Sequence, residues 1–309
     1  MHPSAETATE TIRLIQFRAA YNLPVQVGVE KGFFRRRGIT LEAAFTKGSE
    51  HTSRVLKEGI FHIGHTGADD VVADVEDHRD SDLFIFMGLH SGMFGLVASP
   101  EVPEIGSLRG RLLGVDARRS GFVLVLEKLL RDKGLGLTDY RLQEIGGWES
   151  RYQALRAGSI SATLLTEPYL TEALSAGFRL FARVGEMIPA YLATCGAASR
   201  GWARQHGDLL VRYIQSYVEA TSWCFDIRHR KECLDLLARH HGISGPVAEK
   251  TLASLLDPLH GLYPEAALNI AGIEAVIQLR AERGYLNKPL PPADKYFDRQ
   301  YYHQAMERC

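Results

Sequence analysis

Two stretches of the chain repeat one arrangement of secondary structure at a spacing of 99 residues. The first reads LKEGIFHIGHTGADDVV (56–72) and the second reads LRAGSISATLLTEPYLTEAL (155–174). In each stretch a helix ends at a glycine (Gly59 or Gly158), a short strand follows, and a loop opens a further helix. Glycine just past a helix, and proline in a first helical turn as at Pro168, are typical of helix ends. The chain therefore contains the same α/β unit twice.

Strands and helices alternate around both units. The predicted strands are, in chain order, 11–17, 39–45, 61–65, 83–89, 112–115, 140–145, 160–165 and 178–184. Alternation of this kind predicts parallel βαβ units with helices on both faces of each sheet. We therefore expect an α/β fold with two lobes, each a mostly parallel sheet flanked by helices.

Two extended apolar segments interrupt the alternation. HSGMFGLVASP (90–100) follows a strand without an intervening helix, and residues 189–198 form a second segment of this kind. We interpret both as hinge segments that cross between the lobes. This interpretation places lobe one at 1–92, lobe two at 93–192, and a return to lobe one with a helical C-terminal segment at 193–309.

The C-terminal third predicts helices only, packed on lobe one. These helices are expected at 202–226, 230–241, 246–256 and 265–283. Near the other end of the chain, one continuous helix is predicted from Pro24 to the glycine of RRRG, Gly38.

Charge and composition exclude several classes of function. The chain has 36 Lys and Arg against 37 Asp and Glu, a net charge of −1, so no overall field favours nucleic acid or an anionic membrane surface. No apolar run approaches the roughly 20 residues of a membrane-spanning helix, and we expect no membrane insertion. The four cysteines show no CxxC pair and no metal-like spacing with histidine, so neither a zinc site nor a disulfide framework is indicated. We expect no metal and no cofactor.

The first residues, MHPSAETATETIRLIQF, lack the basic start and apolar core of a secretory leader. As written, the chain is expected in the cytoplasm. If a leader has been removed, it is expected in the periplasm, so the localisation is left open.

Three segments carry a resemblance to a known family. They are VGVEKGFFRRRGITLEAAFTKGSEHTSRVLKEGIFHIGHTG (27–67), SLRGRLLGVDARRSGFVLVLEKLLRDKGL (107–135) and LQEIGGWESRYQALRAGSISATLLTEPY (142–169). Over roughly residues 11–290 the sequence resembles the type II periplasmic-binding-protein fold. Within that group it is similar to the NMT1-like branch of alkanesulfonate, taurine and thiamine-pyrimidine binding proteins. The resemblance implies two lobes that close on a small ligand, and an ABC permease as partner.

Ligands of open α/β sheets bind beyond the carboxyl ends of the strands, and in a two-lobed chain this edge is the cleft between the lobes. The loops at this edge and the crossing segments therefore supply the candidate ligand-binding residues. In lobe one they are Arg18, Tyr21, Asn22, His51, Thr52, His65, Gly67 and His90. In lobe two and the return crossing they are Arg118, Ser120, Gly121, Trp148, Glu167 and Tyr191.

The most specific of these candidates belong to DARRSGF (116–122). Ser120 and Gly121 open a helix directly after a strand, so free N–H groups and the helix dipole can hold an anionic group there. Arg118 or Arg119 would add positive charge. The alternative is that Ser120 is only an N-cap and both arginines are solvated.

Trp148 and Glu167 can each have either a ligand-binding or a purely structural role. Trp148 can stack on a flat ligand or pack between domains. Glu167 can accept a hydrogen bond from the ligand or merely cap its own helix.

Two functions from different classes fit the sequence. The first is a solute-binding protein for a small anionic or aromatic ligand. The alternative is an enzyme on the same fold, a decarboxylase, lyase or hydrolase, with His51 or His65 as general acid or base. Some relatives are enzymes, but the cysteine of an aromatic sulfinate desulfinase is absent from RAAYN (18–22), and so is the cysteine-rich motif of the pyrimidine synthase. A ligand-binding sensor is a third possibility.

Overall fold

Ten strands form two sheets in the computed structural model, which describes residues 9–308. They are β1 (Glu10–Gln16), β2 (Ile39–Phe45), β3 (Ile63–Gly67), β4 (Leu83–His90), β5 (Phe94–Ala98), β6 (Leu112–Val115), β7 (Arg141–Glu144), β8 (Ala162–Thr166), β9 (Arg179–Arg183) and β10 (Thr194–Ser199). Sheet one has the strand order β2-β1-β3-β10-β4 and sheet two the order β7-β6-β8-β5-β9.

Helices cover both sheets. They are α1 (Leu23–Glu30), α2 (Phe33–Arg36), α3 (Ser49–Lys57), α4 (Ala68–Asp77), α5 (Gly121–Asp132), α6 (Trp148–Arg156), α7 (Tyr169–Ser175), α8 (Val184–Met187), α9 (Arg200–Gln205), α10 (Gly207–Phe225), α11 (Arg230–His241), α12 (Gly245–Leu255), α13 (Ile270–Glu282) and α14 (Gln300–Glu307). Short 3₁₀ turns lie at Ala20–Asn22, Ile105–Leu108, Ile227–His229 and Ala293–Tyr296. Within residues 9–308, no helix combines the length and apolar character needed to cross a bilayer.

The repeat seen in the sequence is a repeat of structure. Helix α3, strand β3 and the start of α4 correspond to α6, β8 and the start of α7, and Ser49 and Ile63 lie 99 residues before Trp148 and Ala162. Gly59 and Gly158 both adopt left-handed backbone conformations, with φ of 68° and 71°. Glycine occupies this conformation without the steric penalty of a Cβ atom, which explains why both helices stop there.

Each sheet is mixed. Strand β1 runs parallel to β2 and β3, and β6 runs parallel to β7 and β8. Strands β10 and β5 run antiparallel to both of their neighbours. The chain enters β5 directly from sheet one and β10 directly from sheet two. Neither strand follows a crossover connection within its own sheet, which a parallel pair of consecutive strands would require. The two-lobed α/β prediction is confirmed, with fewer parallel pairings than expected.

The chain passes between the sheets at 91–93 and again between β9 and β10. The predicted lobe boundaries, after residues 92 and 192, stay a prediction.

The two faces of sheet one have different surroundings. On one face, Leu14, Ile63 and Phe86 belong to an apolar cluster with Tyr213 and Ile214 of α10. The other face belongs to a larger cluster that continues into sheet two. The buried core therefore extends across the interface between the lobes.

Several predicted helices differ from the observed ones. The predicted helix at 24–38 is divided into α1 and α2 by Gly32, whose φ is 72°. The predicted helix at 202–226 is two helices that meet at His206. The last predicted helix begins at Ile270 rather than at residue 265, because Asn269 caps it by accepting a bond from the Gly272 amide at 3.0 Å.

The C-terminal third packs on lobe one, as predicted, and also contacts lobe two. Helix α13 packs against α4 of the first lobe and α5 of the second. Arg283 donates to Glu127 of α5 at 2.7 Å, and Arg131 of α5 donates to Glu282 at 2.7 Å.

Candidate functional site

The lobes meet along the carboxyl ends of their parallel strands. Lobe one brings Ala20–Asn22 and the N-termini of α3 and α4 to this edge, and lobe two brings the N-termini of α5, α6 and α7. The Ala20 amide donates to the Glu167 carbonyl at 2.9 Å, and the Ser49 hydroxyl donates to Asp116 Oδ2 at 3.3 Å. Since both bonds join the two lobes, the structure is a closed arrangement.

A cleft of about 700 Å³ opens between α3 and α4 on one side and the loop before α5 on the other. Its lining includes Ser49, Asp70 and Ser120. Ser120, a predicted ligand-binding residue, therefore lies at the interface of the lobes.

Aromatic rings from both lobes pack together at the same interface. Tyr21 and His90 come from lobe one, with ring centroids 4.6 Å apart. His90 lies 5.6 Å from Phe94, and Phe94 lies 5.0 Å from Trp148. The Phe122 ring packs 4.8 Å from Trp148. These five side chains, the aromatic cluster, bring together three residues predicted to bind ligand: Tyr21, His90 and Trp148.

Five buried polar side chains at this cluster have atoms without a hydrogen-bond partner among the described residues. The atoms are Tyr21 OH, His90 Nε2, Trp148 Nε1, Thr194 Oγ1, and Nε and Nη2 of Arg151. We call these five residues the donor set. An unsatisfied buried polar group costs about 1–3 kcal/mol. The side chains of Trp148 and Thr194 still approach the Tyr21 hydroxyl closely enough to form weak hydrogen bonds with it. His90 Nε2 and the two Arg151 nitrogens are therefore the clearest positions for a partner from outside the chain.

The donor set converges on the Tyr21 phenol. Burial raises the pKa of Tyr21, while weak hydrogen bonds with the side chains of Trp148 and Thr194 and the charge of Arg151 lower it. Trp148 and Arg151 come from lobe two, whereas Thr194 is paired with His90 in sheet one. Both lobes therefore contribute to one polar group of atoms.

His90 is held as a neutral donor. The Gly92 amide donates to His90 Nδ1 at 3.2 Å, which leaves the ring proton on the unpartnered Nε2. Burial lowers the pKa of His90 to about 3, so the ring is uncharged at neutral pH. It can therefore offer an N–H group to a ligand.

Arg151 is the candidate that the sequence analysis missed. Its side chain is 1% exposed, its guanidinium lies 4.1 Å over the Trp148 ring, and Nη1 donates to the Leu164 carbonyl at 3.2 Å. Burial lowers its pKa to about 10, so it remains charged at neutral pH. The sequence contained one signal that could have identified it: Arg151 falls in the apolar stripe of α6, beside Tyr152 and Leu155, which indicates a buried arginine.

Three carboxylates, Asp69, Asp70 and Asp116, lie at the same interface, and we call them the carboxylate trio. Arg280 Nη1 contacts both oxygens of Asp69, at 3.2 and 3.0 Å. Burial raises the pKa of Asp69 to about 6 against the opposing charge of Arg280. Burial also raises the pKa of Asp70 to about 7, with repulsion from Asp69 and Asp116. None of these three carboxylates was in the predicted site.

Hydroxyl and amide groups hold the trio. The Thr66 hydroxyl donates to Asp70 Oδ2, and the Gly67 amide donates to the same atom at 3.0 Å. Ser120 donates to Asp116 Oδ1 at 2.6 Å. Gly67 was a predicted ligand contact, and the structure shows its amide bonded to Asp70.

The helix N-terminus at Ser120 and Gly121 faces carboxylates of the protein itself. Ser120 caps α5 by accepting from the Val123 amide at 3.4 Å. Gly121 packs so closely on lobe one that an added Cβ would lie 2.3 Å from the Cβ of Asp69. The N-terminus of α5 thus faces Asp69, a negative group that its dipole favours.

The predicted arginines lie outside the donor set. Arg18 is exposed, 3.6 Å from Glu149 and over the Phe45 ring. Arg118 is also exposed and donates to the Leu142 carbonyl at 3.0 Å. Arg119 pairs with Asp77 at 3.3 Å. Their role in ligand binding stays a prediction.

The two histidines proposed for catalysis are not brought together. His65 turns toward α10, where its Nε2 is 2.8 Å from the Tyr213 hydroxyl, and burial lowers its pKa to about 3. His51 is half-buried, and its Nδ1 is 3.0 Å from the Thr46 hydroxyl. Burial and the charges of Arg54 and Lys47 lower the pKa of His51.

The remaining predicted residues have structural partners. Thr52 donates to the Gly48 carbonyl at 3.2 Å. Asn22 Nδ2 donates to the Phe17 carbonyl at 2.6 Å, while its buried Oδ1 has no partner among residues 9–308.

Glu167 and Tyr191 are both buried at the interface. Glu167 accepts from the Thr171 amide at 3.2 Å, as a helix cap would, and burial raises its pKa. The pKa of Tyr191 is raised well above its ordinary value by burial and by the three charges of the carboxylate trio. Tyr191 therefore faces the trio.

Among residues 9–308, no three His, Cys, Asp or Glu side chains are grouped so that they could hold a metal ion.

The model of one protein family, described as NMT1/THI5 like, matches residues 19–227. The chain belongs to this family. No curated protein matches it significantly.

Solved structures cover nearly the whole chain at low identity. The alkanesulfonate-binding protein SsuA of Xanthomonas axonopodis pv. citri, bound to MOPS, is 17% identical, with a TM-score of 0.78 over 94% of this chain and 99% of that one. The nitrate-binding protein NrtA of Synechocystis PCC 6803 is 12% identical, with a TM-score of 0.80 over 97% and 89%. The desulfurization enzyme DSZB is 17% identical, with a TM-score of 0.67 over 96% and 99%. These similarities establish the periplasmic-binding-protein fold.

Proposed function

We propose that this NMT1/THI5-like protein is a solute-binding protein of an ABC import system. Its two lobes close on a small organic ligand that carries an anionic or aromatic group. The observation that supports this most is the donor set, in which five polar side chains from both lobes are buried without sufficient partners. A ligand held between the lobes would satisfy them and stabilise the closed form.

The chemistry of the donor set favours a ligand with acceptor oxygens. His90 and Trp148 offer N–H groups, and Arg151 offers a charged guanidinium, two of whose nitrogens have no partner in the described part of the chain. Charge-assisted hydrogen bonds from arginine suit carboxylate, sulfonate and phosphate groups. The neighbouring rings of Tyr21 and Phe94 can pack against the rest of the ligand.

The related structures support the same class of function. Two of these proteins are named as binding alkanesulfonate and nitrate, both of which are oxyanions. A permease that receives the ligand from the closed protein would be the partner. The enzyme alternative gains no support from geometry, because His65 is bonded to Tyr213 and His51 lies outside the donor set.

A binding screen tests the proposal. Isothermal titration calorimetry with aliphatic and aromatic sulfonates and carboxylates should identify ligands, and small-angle X-ray scattering should show closure on binding. Arg151→Gln should weaken binding by at least about tenfold, since a charged hydrogen bond is lost. Arg156→Gln, an exposed change on the same helix, is the matched control and should leave the affinity unchanged. Equal affinities for both variants would contradict the proposed site.

A further inference from the structure

We infer that Cys224 and Cys233 form a modification site, at which hydrogen peroxide converts two thiols in contact into one disulfide bond. This inference goes beyond the proposed function and does not depend on the ligand. The two positions are nine residues apart and match no CxxC motif, so their spacing in the sequence does not indicate a pair. The fold brings the two thiols together.

Both cysteines lie at the junction of α10 and α11. Cys224 is in the last turn of α10, Cys233 is in the first turn of α11, and both side chains are buried. Each thiol is within hydrogen-bond distance of the other. The one other cysteine in the described part of the chain, Cys195, is buried in β10, where its thiol donates to the Thr66 carbonyl at 3.5 Å.

Contacts on both sides of the pair hold the two helix ends together. Trp223 precedes one cysteine and Glu232 precedes the other. Lys31 Nζ lies 5.0 Å from the centre of the Trp223 ring and forms an ion pair with Glu232. The Trp223 ring also stacks on that of His229, with centroids 4.1 Å apart and an angle of 7° between the planes. The two thiols are therefore held near each other before any bond forms, as the short reach of a disulfide requires.

The two thiols differ in acidity. The hydrogen bond from Cys224 lowers the pKa of Cys233. The positive charges of Lys31 and Arg230 act in the same direction, whereas burial and the negative charge of Glu232 oppose it. Burial raises the pKa of Cys224 well above its ordinary value. Cys233 is therefore the thiol that ionises first, and the thiolate is the form that reacts with peroxides.

The reaction has two steps. The Cys233 thiolate attacks one oxygen of hydrogen peroxide, the O–O bond breaks, and a sulfenic acid and hydroxide form. The Cys224 sulfur then attacks the sulfenic sulfur, so that the S–S bond forms, the S–O bond breaks, and the thiol proton leaves with the hydroxyl group as water. Counting the proton that Cys233 releases when it ionises, two thiols are oxidised and one peroxide is reduced to two molecules of water.

The contact between the thiols determines the product. A sulfenic acid that meets no thiol is oxidised further to a sulfinic acid, which ordinary thiol reductants do not reverse. Because Cys224 lies against Cys233, the disulfide is the expected product, and thiol–disulfide exchange can reduce it again.

The disulfide should also stabilise the folded protein. It would close a loop of about ten residues, and a cross-link of this length restricts the unfolded chain. We expect the Tm of the oxidised protein to exceed that of the reduced protein by about 4 °C or more. Since α11 packs against α1 and α12, the added constraint lies within the C-terminal third and its contact with lobe one.

Peptide mapping of the full-length protein by mass spectrometry tests the inference. Reduced wild-type protein, treated with a few equivalents of hydrogen peroxide and then with iodoacetamide, should yield the tryptic peptides of Cys224 and Cys233 joined by a disulfide. This bond should form at least about tenfold faster than Cys195 is oxidised, and dithiothreitol should reverse it. The same result in Cys309→Ser excludes exchange with the fourth cysteine, which lies outside the described residues.

Substitutions separate the roles of the two thiols. In Cys224→Ser, peroxide should leave Cys233 as a sulfenic acid that reacts with dimedone, whereas the wild-type protein should give little of this adduct. Cys195→Ser is the matched control, because it removes a buried thiol elsewhere and should still form the disulfide. Thermal unfolding of each reduced variant checks that it is folded, and the mapping of the wild-type protein stands without them.

Three results would overturn the inference. In the first, Cys224 and Cys233 stay reduced while Cys195 is oxidised. In the second, Cys233 of the wild-type protein becomes a sulfinic acid without forming a disulfide. In the third, the disulfide forms but the Tm is no higher than that of the reduced protein, which would show that the folded helices do not accommodate the bond.

Discussion

Replacing Arg151 by methionine should separate ligand binding from stability. Methionine keeps much of the length and apolar stem of arginine but removes the charge and the unpartnered nitrogens. In the folded protein, burial lowers the pKa of this guanidinium from 12.5 to about 10, which corresponds to a penalty of about 3 kcal/mol on the charged form. The substitution removes that penalty from the free energy of folding at neutral pH.

The same substitution also removes two favourable contacts. The guanidinium lies 4.1 Å over the Trp148 ring, a contact that contributes about 1–2 kcal/mol when desolvated. The hydrogen bond from Arg151 to the Leu164 carbonyl contributes about 1 kcal/mol. Gain and loss nearly cancel, so the free energy of unfolding without ligand should change by no more than about 1 kcal/mol.

Ligand affinity should respond quite differently. Loss of a buried, charged hydrogen-bond partner costs about 2 kcal/mol or more in binding, which is about 30-fold in Kd. Denaturant unfolding and calorimetry measure the two quantities, with Arg156→Met as the control on the exposed face of α6. If Arg151→Met lowered stability by more than about 3 kcal/mol while affinity was preserved, Arg151 would be a structural residue and our reasoning would be refuted.

Three further predictions follow from other contacts. Gly121→Ala would place a Cβ 2.3 Å from that of Asp69, so it should prevent full closure and weaken ligand binding by about tenfold or more; calorimetry showing wild-type affinity would contradict this. Asp70 has a pKa of about 7 against an ordinary 3.8, so the folded state retains a proton that the unfolded chain loses, and stability should fall by up to about 4 kcal/mol as pH rises from about 4 to 8. Asp70→Asn should flatten this fall in denaturant titrations, and an unchanged pH profile would count against the assignment. Tyr213→Phe should leave His65 Nε2 unpartnered and lower stability by about 1–3 kcal/mol, and a change in ligand affinity would show that His65 belongs to the site after all.

The fold was accessible from the sequence because its signals are local. The glycines at 59 and 158 mark helix ends wherever they occur, and their spacing of 99 residues revealed the repeated unit. The two crossing strands were identified as segments, but their antiparallel direction was not, since direction depends on which sheet the chain leaves. Breaks such as that at Gly32 lie inside an otherwise helical pattern and were missed.

The site was only partly accessible. Tyr21 and Trp148 were predicted from loops at strand ends and His90 from the first crossing segment, and the structure brings them together. Arg18 and Arg118 occupy similar positions in the sequence, but their side chains lie on the surface, since position at a strand end does not determine where a long side chain points.

Arg151 and Asp70 were missed because they do not lie at strand ends, although their side chains are buried at the site. Both lie within helices, one turn beyond the loops from which ligand contacts were expected. They become candidates only when burial and missing partners are known, because helical arginine and aspartate residues are usually solvated. The approach of side chains from two lobes is a long-range property that a local pattern does not contain.

A crystal structure with the tightest binder from the calorimetric screen tests the central claim most directly. We predict that the lobes are closed and that an acceptor oxygen of the ligand lies within about 3.2 Å of Arg151 Nε or Nη2 and of Trp148 Nε1. A ligand bound elsewhere on the protein, with these nitrogens still unpartnered, would contradict the account.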